Sequence, residues 1–186
     1  MIDYQAVKQQ HQQAVDSVFA QIEKLDELVK RVTACLKAGG KVLWCGNGGS
    51  AADAQHMAAE LMVRYVKNRQ PLASIALTTD TSILTAHSND YAFETVFARQ
   101  IEALARPGDV LISLSTSGNS ANVVQAQAQA KAMNLFCVAL TGAQTSALSQ
   151  NADLCFQVDS SLTARIQEAH SVICHLLCEG LDQCFD

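Results

Sequence analysis

Two glycine- and hydroxyl-rich stretches stand out as places where the chain could hold an anion: Cys45-Gly46-Asn47-Gly48-Gly49-Ser50 and Ser115-Thr116-Ser117-Gly118-Asn119-Ser120. Each follows a strand-length apolar run and opens a helical pattern. Glycine lets the backbone approach a ligand, hydroxyls donate hydrogen bonds, and the free N–H groups at a helix N-terminus favour negative charge. A phosphate fits both. Neither stretch has the spacing of G-x-G-x-x-G with its later acidic residue, and neither contains G-K-[ST]. The plain alternative is that Ser50 and Ser120 only cap helices. Two such loops, at the carboxyl ends of two strands of one sheet, favour a small phosphorylated ligand in the crevice.

Two further segments carry groups for acid–base or metal chemistry. In His56-Met57-Ala58-Ala59-Glu60 the imidazole and carboxylate are four residues apart, on one face of the helix that the first loop opens. Such a pair is either a first-row metal site in part or a surface hydrogen bond. Near the C-terminus Gln167, Ser171 and His175 also step by four. His175 lies among Ile173, Cys174, Leu176 and Leu177, so a neutral core histidine is the competing reading. His170 is turned away from His175 and reads as structural or solvated. Eight residues rise about 12 Å, so Gln167 and His175 reach one ion only by leaning toward each other.

The elements that must position these groups follow from periodicity. Strand-length apolar runs at 41–45, 73–78, 110–115, 136–140 and 154–158 alternate with helical segments near 51–66, 91–105, 119–133 and 164–184. That alternation predicts a parallel sheet covered by helices on both faces. Before it, residues 3–38 carry Val15, Val18, Phe19, Ile22, Leu25, Leu28, Val29, Val32 and Leu36 at steps of three or four. The stripe either closes as a helix hairpin onto its own domain or packs in part against another subunit.

Composition sets the outer bounds. The 186 residues read as one domain by the usual ~100–200 residues per domain, and 49% hydrophobic with 17% charged excludes a disordered chain. A net charge of −5 without a basic stretch argues against direct nucleic-acid binding, and no apolar run suits a membrane span. No export or import signal is visible at the start. Seven cysteines without a C-x-x-C pair predict free thiols in a reducing cytoplasm.

The stretches 45–50, 53–61 (Asp-Ala-Gln-His-Met-Ala-Ala-Glu-Leu), 89–91 (Asn-Asp-Tyr), 115–123 and 164–170 (Ala-Arg-Ile-Gln-Glu-Ala-His) together closely resemble the phosphoheptose isomerases of the sugar isomerase (SIS) domain family. The resemblance runs from about residue 15 to the C-terminus. It implies one SIS domain over 1–186, a three-layer, flavodoxin-like α/β fold with residues 1–38 serving core cover and oligomerisation. It also implies conversion of sedoheptulose 7-phosphate to D-glycero-D-manno-heptose 7-phosphate, toward bacterial surface heptose of the lipopolysaccharide type, by a zinc-containing homotetramer with sites between subunits. The family's metal ligands fall on His56, Glu60, Gln167 and His175. Its phosphate-binding hydroxyls fall on Ser115, Thr116, Ser117 and Ser120, while Asn47, Ser50, Arg64, Asp90 and Gln167 match further substrate positions. One position departs: Ala164 stands where some family enzymes carry an aspartate, so any sugar contact from that side chain is absent or supplied elsewhere.

The chemistry agrees with those assignments. Aldose–ketose isomerisation moves a proton between adjacent carbons through an enediol, which needs a base that returns the proton and an acid or metal at the oxygens. Glu60 is the natural base and His175 the natural acid. A related, non-catalytic protein that binds the bacterial replication initiator shares the fold and loops but departs from the isomerase pattern at the positions of Glu60 and His175. Retention of both here favours the enzyme. A sugar-phosphate-sensing regulator would need the loops but no acid/base pair, and no DNA-binding extension accompanies them.

Overall fold

The computed structural model describes residues 1–185. Five parallel strands, β1 (Val42–Gly46), β2 (Ser74–Ala76), β3 (Val110–Leu114), β4 (Phe136–Gly142) and β5 (Leu154–Val158), form one sheet in the order β2-β1-β3-β4-β5. This is the flavodoxin-like order, in which the direction of winding reverses between β1 and β3 and leaves a crevice at their carboxyl ends. β1, β3 and most of β4 are buried on both faces. Their unbroken apolar runs are what a doubly covered parallel sheet requires.

The N-terminal stripe is carried by two helices, α1 (Tyr4–Phe19) and α2 (Ile22–Lys37). Gln21 takes the break between them: its carboxamide donates to Ser17 O at 2.9 Å and to Gln157 O at 3.0 Å, tying the joint to β5. Ala14, Val18, Leu25, Leu28 and Val32 of the stripe are buried within this chain, whereas Phe19 and Ile22 are 47% and 53% exposed. The stripe therefore serves its own core and leaves a remainder.

The other helices are α3 (Gly49–Met62), α4 (Thr81–Asp90), α5 (Val96–Leu104), α6 (Ala121–Ala132), α7 (Ala147–Asn151) and α8 (Thr163–Cys184). Residues from α1, α2, α3 and α8 share one core with Val42, Trp44, Val110, Ile112, Val138 and Phe156 of the sheet. Residues from α5, α6 and α7 share the other with Leu43, Cys45, Leu111, Cys137 and Ala139. Periodicity did not announce α4, which buries no residue, or the five-residue α7. Local caps begin both: Asp80 accepts from Ile83 N, and Ser146 forms a reciprocal capping box with Ser149. α3 ends at Met62, four residues short of the expected end, for a reason that lies in the segment after it. No helix among the described residues is long and apolar enough to cross a membrane.

His170 is fully buried on α8, where its Nε2 donates to Thr141 O at 3.2 Å and its Nδ1 has no partner. Burial pushes this imidazole down to about 4 from its ordinary 6.5, against the opposing bond to Thr141. Between those values the unfolded chain binds a proton that the folded chain does not, so stability falls as pH falls through the window. From this residue alone the wild type should lose about 2 kcal/mol between about pH 7.5 and pH 5. Urea unfolding at several pH values should show that loss, and in His170→Gln the acid slope should shrink accordingly.

Candidate active site

The register of β1 on β3 pairs Cys45 with Ser113 and Gly46 with Leu114, so the two glycine- and hydroxyl-rich loops leave the sheet side by side. They are also bonded to each other: Asn47 and Asn122 exchange two carboxamide hydrogen bonds of 2.8 Å each. Asn122 is buried. It lies just beyond the second loop, and sequence spacing gave no sign of its role.

In the second loop three serine hydroxyls lie close together. Ser115 Oγ lies 3.0 Å from Ser120 Oγ and 3.4 Å from Ser117 Oγ, while the Gly118 and Asn119 amides donate to Ser115 and Ser117. Ser120 occupies the N-cap position of α6, yet its side chain makes no capping bond. The capping alternative for this serine is therefore not realised. Ser50 is buried inside α3, whose cap is Gly48, so it does not cap either. Gly118 has a φ of +66° and packs so closely that an added Cβ would lie 2.0 Å from Ser146 Oγ. Only glycine fits there. Thr116, half-buried, accepts a bond from Gly142 N through its carbonyl, which fastens the loop to β4.

Beside the loops, α3 and α8 lie together in the same direction, and successive residues meet rung by rung. An added Cβ on Gly49 would come within 2.6 Å of the Gln167 carboxamide, so glycine is what lets Gln167 lie over the start of α3. One turn on, Ser171 donates to Asp53 at 3.1 Å. Burial raises the Asp53 carboxyl above its ordinary value, opposed by the Ser171 bond and by the charges of His56 and His175. At the next turn the rings of His56 and His175 meet edge to face, 5.2 Å between centroids. His56 Nε2 donates to Glu60 Oε1 at 3.1 Å. Tyr65 also stacks on His175, 5.8 Å between centroids and 25° from parallel. Gln167 and His175 thus serve opposite ends of one helix face, and both address α3.

The structure therefore brings together Asn47, Ser50, the Ser115–Ser120 hydroxyls, Gln167, His56, Glu60 and His175. Two candidates stand apart. Arg64 is exposed and donates to Val66 O at 3.4 Å, and Asp90 is exposed at the end of α4, where Asn89 donates to it at 2.8 Å. No hydrogen bond described for either reaches the loops or the α3–α8 face. Asp53 and Tyr65 were not singled out from sequence; Asp53 could have been found by its spacing of three from His56, whereas Tyr65 falls in the helix expected to run to residue 66 and beyond the end that α3 actually has.

Two imidazoles, a carboxylate and an amide oxygen are donors of a kind that zinc takes. In the structure His56 and Glu60 bond each other, and among the described residues no three His, Cys, Asp or Glu side chains gather closely enough to hold an ion.

The SIS domain family model matches residues 4–142. Phosphoheptose isomerase 1 of Campylobacter jejuni is 53% identical over 180 residues, 95% of each chain. The chain belongs to the phosphoheptose isomerase family of SIS domain proteins. The phosphoheptose isomerase of Thiobacillus denitrificans is 49% identical over 96% of this chain and 91% of its own. A solved phosphoheptose isomerase from Neisseria gonorrhoeae superposes with a TM-score of 0.90 at 41% identity, covering 97% of each chain. One from Francisella tularensis gives 0.89 at 34% identity, over 98% of this chain and all of that one.

Because Ser120 makes no capping bond, its hydroxyl is not committed to the helix it begins. Ser117→Ala and Ser120→Ala should each weaken sugar-phosphate binding by about ten- to a hundredfold, since bonds to a charged group are worth roughly 1.5–3 kcal/mol. Urea unfolding of Ser120→Ala should match wild type within about 0.5 kcal/mol, less than loss of a helix cap costs. Calorimetric titration with sugar phosphate reads the first effect.

Proposed function

We propose that the chain interconverts sedoheptulose 7-phosphate and D-glycero-D-manno-heptose 7-phosphate, feeding bacterial surface heptose of the lipopolysaccharide type. The observation that carries this reading is the junction of two halves: hydroxyl and amide donors suited to a phosphate, and an adjoining helix face that presents a carboxylate and imidazoles. The isomerase names of close relatives support it over most of their length. A protein that only bound a partner or sensed a sugar phosphate would have no need of Glu60 and His175 together.

In this reading the loop hydroxyls and amides anchor the phosphate, and the Asn47–Asn122 pair keeps both loops in register. Glu60 removes the proton from the carbon beside the carbonyl and returns it to the former carbonyl carbon, while His175 gives a proton to the carbonyl oxygen and takes one back from the neighbouring hydroxyl. His56, Glu60, Gln167 and His175 would hold one zinc ion, which would supply polarisation of the carbonyl. Arg64 and Asp90 complete the substrate contacts from a neighbouring subunit of a homotetramer. Support for assembly comes from a groove between α2 and α8 lined by Phe19, Ile22, Leu25, Val29 and Leu176, an apolar face of the kind that marks an interface. All seven cysteines are free, and burial pushes Cys45 and Cys137 up to about 12, which suits a reducing cytoplasm.

Incubation with sedoheptulose 7-phosphate, followed by NMR, should show the aldose appearing; in deuterated water deuterium should enter at the carbon next to the carbonyl. Glu60→Gln keeps the shape but removes the base, so turnover should fall by at least about 10²-fold while substrate still binds. Binding without conversion by wild type would sink the isomerase reading in favour of a binding protein. Light scattering should give a mass near four chains of 20.0 kDa; a monomer at micromolar concentration would remove the shared site.

A further inference from the structure

We propose that Tyr65 is a positioning residue that fixes the imidazole of His175, and that the segment after α3 is a strap built to hold it there. The inference rests on the role given to His175 above. Helix α3 stops at Met62, and the segment after it meets α8 at His175 and at Asp182. What stops it is Arg69, whose side chain is wholly buried. Its Nη2 donates to Glu60 O at 3.1 Å and its Nη1 to Leu61 O at 3.0 Å, taking two carbonyls that the last turn of α3 leaves without helical partners. The same guanidinium donates through Nε to Asp182 Oδ1 at 2.8 Å. Asp182 in turn accepts from the backbone amides of Val66 at 3.0 Å and Lys67 at 2.8 Å. The two residues that follow Tyr65 are thereby pinned to the far end of α8.

A buried ion pair of this kind yields little net stability, because desolvation offsets most of its attraction. Its effect is geometric. One guanidinium joins the backbone carbonyl of Glu60 to the helix that carries His175, and the strap it anchors lays the Tyr65 ring nearly flat against that imidazole. His56 meets the same imidazole edge to face, 5.2 Å between centroids. Two rings therefore neighbour the imidazole, and Tyr65 is the one with no proton-transfer or ligand role assigned to it. An offset stack of aromatic rings restricts rotation about the side-chain bonds of its partner, and a proton donor misplaced by as little as 1 Å loses much of its rate.

The test uses full-length protein labelled with 13C at histidine, with the His175 ring signal assigned by its loss in His175→Asn. Tyr65→Leu should move that signal as the ring current disappears, and lower kcat by about tenfold or more with KM changed by less than about twofold. Tyr65→Phe, which keeps the ring and drops only the hydroxyl, should restore both the signal and kcat to near wild type. Should Tyr65→Leu fail to fold, Tyr65→Met supplies the same comparison. An unmoved His175 signal with unchanged kcat in the ring-less variant overturns the proposal. So does a rise in KM alone, which would make Tyr65 a substrate contact, and so does failure of Tyr65→Phe, which would place the effect in the hydroxyl. The wild-type assay separates the two levels: a wild type that converts no sugar phosphate removes the isomerase reading itself, whereas an active wild type with indifferent Tyr65 variants removes only the positioning role.

Discussion

The site depends on one packing constraint, the parallel register of α3 against α8. Gly49 meets Gln167, Asp53 meets Ser171, and His56 meets His175, so each turn of one helix answers a turn of the other. A further contact, Cys178 Sγ to Met57 Sδ at 3.9 Å, continues the sequence of rungs in the core. A one-residue slip would rotate each partner by about 100° and separate every pair at once. The register is set at the start by a glycine that admits a side chain from the opposite helix, and at the end by Arg69, which closes α3 and bonds to α8. Between them the polar rung of Asp53 and Ser171 discriminates against sliding, because a shifted helix would leave a half-buried carboxylate without its donor.

The loops obey a second constraint, the order of the strands. At the reversal between β1 and β3, helices following the two strands go to opposite faces of the sheet, and the loops that lead into them are left flanking an open crevice. That arrangement alone would let each loop relax independently. Asn47 and Asn122 prevent it by a reciprocal pair of hydrogen bonds between the loops, and Thr116 is held to β4 by Gly142. The donors for an anion are consequently in place before any ligand arrives, which lowers the ordering cost of binding.

Most of the sheet, both loops and the His56–Glu60 pair were legible in the sequence because each depends on local pattern: apolar runs, glycine with hydroxyls, a spacing of four. What escaped has no local pattern. The stop of α3 at Met62 is imposed by an arginine seven residues later and an aspartate near the C-terminus, so helical periodicity carried past it to Val66. α4 buries nothing, and a helix without a buried face leaves no apolar stripe to read. The break at Ala20–Gln21 falls within an uninterrupted stripe because Gln21 bonds to β5, over a hundred residues away. Gln167 and His175 meet α3 two turns apart, at Gly49 and at His56, so the parallel helices keep the separation that eight residues of helix impose.

The same register explains why α8 can serve two faces without conflict. Gln167, Ser171 and His175 step by four along the side that meets α3, while Leu176 and Gly180 lie on the side that meets α2, where an added Cβ on Gly180 would strike Val29 at 2.5 Å. The helix is continuous for 22 residues and carries no proline, so it has no hinge at which one face could move independently of the other. Occupation of the α2–α8 groove would therefore restrain the site without switching it, since a switch requires an element with two stable arrangements. A partner seated in that groove would act on the chemistry by holding α8 straight and in register, while within the chain the imidazole of His175 is met by the packing of its helix and by the Tyr65 ring of the strap.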